Sequence, residues 1–319
     1  MTITERRSFA TDRPRHAPAP QVEPKRSRRS LATRLLALVA LFAVVGDVWL
    51  ALDRDHGRHQ YLTPLGWPSV GQASYQIDGR SPASSPNQEP APIASVAKVM
   101  TAYVVSHRSS FGPGPFLTVT PDDVADWHRR RAAGESTVRV AAGETLTERQ
   151  ALEALLLPSA NNVAVMIARR VSGTVAAFLV LMNATARTLG MTHTTYTDPS
   201  GLDEGTVSTA ADQLRLARAA MADDTFAELV GERSARLPVA GTVHNTDSLL
   251  GTHGFVGIKT GSDDAAGGCF MFQTWRLVGG HNVAVTGVVL GQRGHDLIKA
   301  GLHAAAQLAD RVAPSAAHP

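Results

Sequence analysis

One segment of strand-like alternation, a long stretch of helical periodicity, three more strand-like segments and a closing helix follow one another along 319 residues. This order leaves few folds open. Residues 71–77 read as a strand. Residues 95–106 read as an apolar helix through Val96, Val99, Met100, Ala102 and Val104. Thr147-Glu-Arg-Gln150 is a capping box, in which a hydroxyl and an amide satisfy each other's backbone donors, and it opens a helix over 147–157. Pro158-Ser-Ala-Asn161 breaks that helix, and another follows over 162–171. Phe178, Met182, Ala186 and Leu189 recur at helical spacing after Thr174, with Gly190 as the stop. Residues 209–221 form one more helix, with Asp212 in its first turn. Strands then read over 255–259, 269–277 and 283–290, with Gly279-Gly280 turning the last two into a hairpin, and a helix closes the chain over 294–310. The expected class is α+β: an antiparallel sheet flanked by helices, with a helical cluster inserted between its first and later strands.

The net charge of +3 hides an uneven distribution. Residues 1–34 hold nine Lys and Arg against three acids, which leaves the remaining chain at −3. The basic character therefore belongs to a tail, and the body carries no nucleic-acid footprint. Residues 1–30 are rich in Arg and Pro without an apolar period, so they read as a disordered cytoplasmic tail. The apolar run 35–52 is just long enough to cross a bilayer as a helix, for which about 17–25 residues suffice. The basic flank orients it with the body outside. The expectation is a single-pass signal anchor over 31–52 in the cell membrane and an extracytoplasmic domain. A cleaved signal peptide is the rival, because the twelve-residue core 35–46 also fits such a segment. Residues 53–66 read as a linker, 67–312 as the catalytic domain and 313–319 as a tail. Cys269, the only cysteine, sits in an apolar run and reads as a buried small hydrophobe.

The chain has four lysines against 27 arginines. Arginine stays protonated at any working pH and cannot be a general base, whereas a lysine with a lowered pKa can. Lys98 closes Ser95-Val-Ala-Lys98 and Lys259 opens Lys259-Thr-Gly261. Ser95 is thus a candidate nucleophile and Lys98 its candidate base. A Ser-x-x-Lys tetrad alone is weak evidence, since roughly 0.3 are expected by chance at this composition. Its bland reading is a capping serine before a solvated lysine, which the apolar surroundings oppose. Ser159-Ala-Asn161 is equally common by composition. Ser85-Pro-Asn87 matches it too but stands in a Pro-rich loop ahead of Ser95.

Order and spacing add what single motifs lack. Ser159 follows Ser95 by 64 residues, and Lys259 follows Ser159 by 100. The arrangement resembles the active-site serine penicillin-recognising enzymes, and within them the D-alanyl-D-alanine carboxypeptidase family. The flanks carry the closer match: Pro92-Ile-Ala-Ser-Val-Ala-Lys-Val-Met-Thr101, Leu155-Leu-Leu-Pro-Ser-Ala-Asn-Asn162, Asp198-Pro-Ser-Gly-Leu202 and Gly257-Ile-Lys-Thr-Gly261. The resemblance implies a β-lactamase/DD-peptidase-like fold with no cofactor or metal. It implies removal of the terminal D-alanine from peptidoglycan stem peptides ending in D-Ala-D-Ala, through an acyl-enzyme on Ser95. β-Lactams are then covalent inhibitors. Lys98 acts as base and Ser159 relays a proton. Asn161 binds the substrate's peptide group, Lys259 and Thr260 its terminal carboxylate, and Gly261 allows close approach. The N–H groups of Ser95 and Ser262 form the oxyanion hole.

Asp263 departs from the family pattern, which usually has Thr at that position, and an acid beside a carboxylate site is unfavourable unless it points away or pairs with Arg. A weakly active or non-catalytic, membrane-tethered wall-binding protein is therefore the alternative. A class A β-lactamase is a poorer match, because Thr195 stands where such enzymes need a deacylating glutamate. Arg129-Arg130-Arg131 reads as a solvated loop, and the twelve histidines have no partners at metal-ligand spacing.

Overall fold

Four antiparallel strands, one from the start of the domain and three consecutive ones from its end, form most of one sheet. In the computed structural model residues 66–108 and 114–314 are described. The expected tail, apolar run 35–52 and most of the linker lie outside the described residues. Among those residues no single helix is long and apolar enough to cross a membrane.

The strands are β1 (Gln72–Ile77), β2 (Phe255–Asp263), β3 (Gly267–Val278) and β4 (His281–Gln292). The sheet runs from a two-residue strand, Ala83–Ser84, through β1, β4 and β3 to β2. Gln72 pairs with Leu290, so the first strand lies against the last, and the sheet closes only after nearly the whole domain has been made. The helices are α1 (Lys98–Ser106), α2 (Pro121–Ala132), α3 (Glu148–Leu156), α4 (Asn161–Ser172), α5 (Val175–Thr188), α6 (Ala210–Met221), α7 (Asp224–Val230) and α8 (Leu297–Val312). The α+β expectation with an inserted helical cluster holds, and strands 255–259 and 269–277 extend further than the pattern indicated.

Two apolar cores lie on opposite faces of the sheet. On one, Phe255, Phe270, Phe272 and Val289 pack against Leu302, Ala305 and Leu308 of α8. That approach is close at Gly268, where a Cβ would stand 1.9 Å from the Leu297 carbonyl oxygen. On the other face Ile258, Met271 and Val288 join the core of the inserted helices. Alternate residues of β3 serve the two cores, because successive side chains of a strand point to opposite faces.

Two expectations need correction. Arg129–Arg131 do not sit in a loop: they form the last turn of α2. That helix begins with a capping box between Thr120 and Asp123 and with Pro at its first position. Arg130 is largely buried and pairs with Asp126 and Glu135. Ser95 does not begin an α-helix either: Ala94–Ala97 form a 3₁₀ turn that passes into α1 at Lys98.

Candidate active site

The 3₁₀ turn sets the geometry at Ser95. Side chains three residues apart eclipse in a 3₁₀ turn, which stacks Lys98 on Ser95. Lys98 Nζ lies 2.7 Å from Ser95 Oγ and donates to the Ser200 carbonyl at 2.9 Å. Ala94 enters the turn with φ of 46°, a left-handed value that strains a residue with a side chain. The segment 198–202 holds it there. Asp198 accepts backbone N–H groups from Ser200, Gly201 and Leu202. Gly201, at φ of +80°, passes so close that a Cβ would lie 1.8 Å from the Ala94 carbonyl oxygen. Thr101 fastens the same segment to α1 by donating to the Pro199 carbonyl at 2.7 Å.

Strand β2 closes the other side. A Cβ on Gly261 would stand 3.0 Å from the backbone nitrogens of Ser95 and Val96, so any side chain there would crowd β2 against the turn. A cleft of about 210 Å³ opens between them, lined by Ser95, Gly134, Glu135, Asn161, Ser262 and Asp263 among others. Lys259 and Thr260, which precede Gly261 on β2, are buried. Lys259 Nζ donates to the Thr260 carbonyl at 2.9 Å, and the Thr260 hydroxyl lies 2.6 Å from that of Thr246.

Burial, above all, holds the Lys98 amine well below its ordinary pKa; the charge of Lys259 pushes the same way, while Asp198 and Glu135 oppose it. Burial also lowers Lys259, to about 7, against the pull of Asp247. Asp247 is itself raised to about 6 by burial, and one of its carboxylate oxygens has no hydrogen-bond partner. The arrangement offers a neutral amine within proton-transfer distance of a serine hydroxyl, and a second, titratable amine one strand away.

The structure brings Ser95, Lys98, Asn161, Gly261 and Ser262 together, with Lys259 and Thr260 just before Gly261 on the same strand, β2. Ser159 enters α4 at φ of 66°, and its buried hydroxyl makes no hydrogen bond. Asp263 lines the cleft, but one oxygen turns back to accept the Ala266 N–H at 2.7 Å. Thr195 bridges Val207 and does not line the cleft. Sequence reasoning missed Glu135, Arg130, Ser200 and Asp247. The Asp198-Pro-Ser-Gly segment was visible as a motif without a role, and the Thr120 capping box was the available sign of the helix that carries Arg130.

The profile of the D-alanyl-D-alanine carboxypeptidases matches residues 79–294, most of the described domain. The chain belongs to that family of serine-type peptidases. It is 38% identical over 185 residues to the D-alanyl-D-alanine carboxypeptidase DacB2 of Mycobacterium tuberculosis, covering 55% of this chain and 59% of that protein. It is 37% identical over 125 residues to the D-alanyl-D-alanine endopeptidase of Pseudomonas aeruginosa, covering 39% and 38%. The match thus spans less than two thirds of either relative. The fold matches the crystal structure of a Streptomyces DD-transpeptidase with a TM-score of 0.65 at 26% identity, covering 76% of this chain and 97% of that one. Within this D-alanyl-D-alanine carboxypeptidase family member, Ser95 and Asn161, from two of the motifs, and Ser262, which follows the third, line one cleft beside β2.

Proposed function

We propose that this family member removes the terminal D-alanine of peptidoglycan stem peptides through an acyl-enzyme on Ser95. The observation that carries the reading is the buried, pKa-depressed Lys98 amine, 2.7 Å from Ser95 Oγ at the edge of the cleft. Neutral Lys98 takes the Oγ proton as Ser95 attacks the carbonyl between the two D-alanines. The N–H groups of Ser95 and Ser262 stabilise the oxyanion, each such donor lowering the barrier by about 3–4 kcal/mol. Ser159 passes the proton to the leaving amine, and water then releases the shortened peptide. Asn161 holds the substrate's peptide group, and protonated Lys259 with Thr260 holds its carboxylate. A β-lactam acylates the same serine and stays there, since the glutamate that lines the cleft, Glu135, is engaged by Arg130 and Asn161 and not placed to activate water. The apolar run 35–52 tethers the domain to the outer face of the cell membrane.

A second reading rests on Asp263. Its carboxylate stands in the cleft, and repulsion of the substrate's own carboxylate would leave a wall-binding protein that acylates but turns over poorly. Mass spectrometry of the protein after incubation with a fluorescent penicillin and, separately, with a D-Ala-D-Ala peptide decides between them. The expected result is a stable adduct on Ser95 and release of D-alanine. A stable adduct without release selects the second reading, and no adduct on Ser95 removes both.

A further inference from the structure

Glu135 takes no direct part in the reaction proposed above, its charge aside, yet its carboxylate lines the cleft and joins two groups there. One oxygen, Oε2, accepts from Arg130 Nη1 at 2.8 Å and from Asn161 Nδ2 at 3.0 Å. Arg130 is held in turn by Asp126, to which its Nε donates at 2.8 Å. The two ends of an asparagine amide have nearly the same shape and opposite polarity, so packing alone does not decide which end faces the substrate. A carboxylate decides it, because an ionised carboxylate only accepts. The donor end of Asn161 must face Glu135. The acceptor end, Oδ1, then faces the other way, where it is buried without a hydrogen-bond partner.

We propose that Glu135, held in place by Arg130, is a positioning residue that fixes the orientation of the Asn161 amide for substrate binding. The inference rests on the role given to Asn161 above. The backbone does not depend on this side chain. Asn161 N–H donates to the Ser136 carbonyl at 2.8 Å, and the Asn162 side chain brackets Val138, accepting from its N–H at 3.2 Å and donating to its carbonyl at 3.0 Å. Removing the carboxylate should leave the wall of the cleft standing and release the amide, while Arg130 keeps its bond to Asp126.

The test is a double-mutant cycle on the second-order rate of Ser95 acylation by a penicillin, measured on purified full-length protein with thermal melts as the control for folding. Glu135→Ala should lower the rate roughly ten- to a hundredfold, the scale on which misplacement of a binding group acts. Glu135→Gln, whose carbonyl oxygen can accept from both partners, should recover most of that loss. Glu135→Ala combined with Asn161→Ala should be no slower than Asn161→Ala alone, since residues that act through one another are not additive. Should Glu135→Ala fail to fold, Glu135→Ser takes its place. A wild-type rate in Glu135→Ala, or losses that multiply in the double variant, overturns the positioning role and leaves the role of Asn161 intact. A wild-type rate in Asn161→Ala overturns both.

Discussion

Lys98 and Lys259 are both buried lysines, and the proposed reaction needs them in opposite states. Arginine at 98 would keep the charge and lose the base, so Lys98→Arg should abolish penicillin labelling of Ser95 while the protein still melts cooperatively. Labelling at the wild-type rate would remove the general-base role. Lys259 behaves differently, because its pKa of about 7 lies within the working range. A substrate carboxylate favours the charged amine, which predominates below that value. KM for a peptide with a free C-terminal carboxylate should therefore rise as pH increases through about 7, by up to tenfold per unit. Asp247 is the group that holds the Lys259 pKa up, so Asp247→Asn should move the rise to lower pH. A KM profile that is flat in the wild type, or unmoved in the variant, contradicts the assignment. Ser95 and Lys98 were legible because they stand three apart in a chain that otherwise avoids lysine. Glu135 and Asp247 were not, because each reaches the site from a segment without a recognisable motif.

The elements show where local sequence is sufficient and where it is not. Thr147 caps α3 by accepting the Gln150 N–H, as its capping box predicts, and Thr147→Ala should cost about 1 kcal/mol, read in a denaturant melt. Helix α2 escaped notice because its apolar residues are too few to draw a 3.6-residue stripe; only its cap and its proline mark it. The 3₁₀ turn at Ala94–Ala97 is a different matter. It depends on a partner about a hundred residues away, since Gly201 pressed against Ala94 is what keeps Ser95 in the turn. Gly201→Ala should therefore slow acylation far more than it lowers the melting temperature. Equal acylation in the two proteins would show that the turn holds itself.

At the scale of the whole molecule, the chain pairs a domain of recognisable family with an N-terminal apolar run that the sequence alone describes. If residues 35–52 are an uncleaved anchor, the full-length protein should remain in the membrane pellet after alkaline carbonate extraction and keep its first residues on N-terminal sequencing. Recovery in the supernatant, with an N-terminus beyond residue 46, would establish a cleaved signal peptide instead. The sheet topology was legible only in outline. Hydrophobic alternation finds strands, but the pairing of Gln72 with Leu290 is a tertiary fact that no local window contains.

Strand β2 is the last strand of the sheet. Beyond Gly261, where the 3₁₀ turn covers it, Ser262 and Asp263 open on the cleft. A bare strand edge offers backbone donors and acceptors to any extended chain, including another copy of the same protein. Occupancy of the cleft and colloidal behaviour are thus linked. On slow heating, protein acylated by a penicillin should scatter light at a higher temperature than free protein, because the adduct shields the edge on which aggregates would grow.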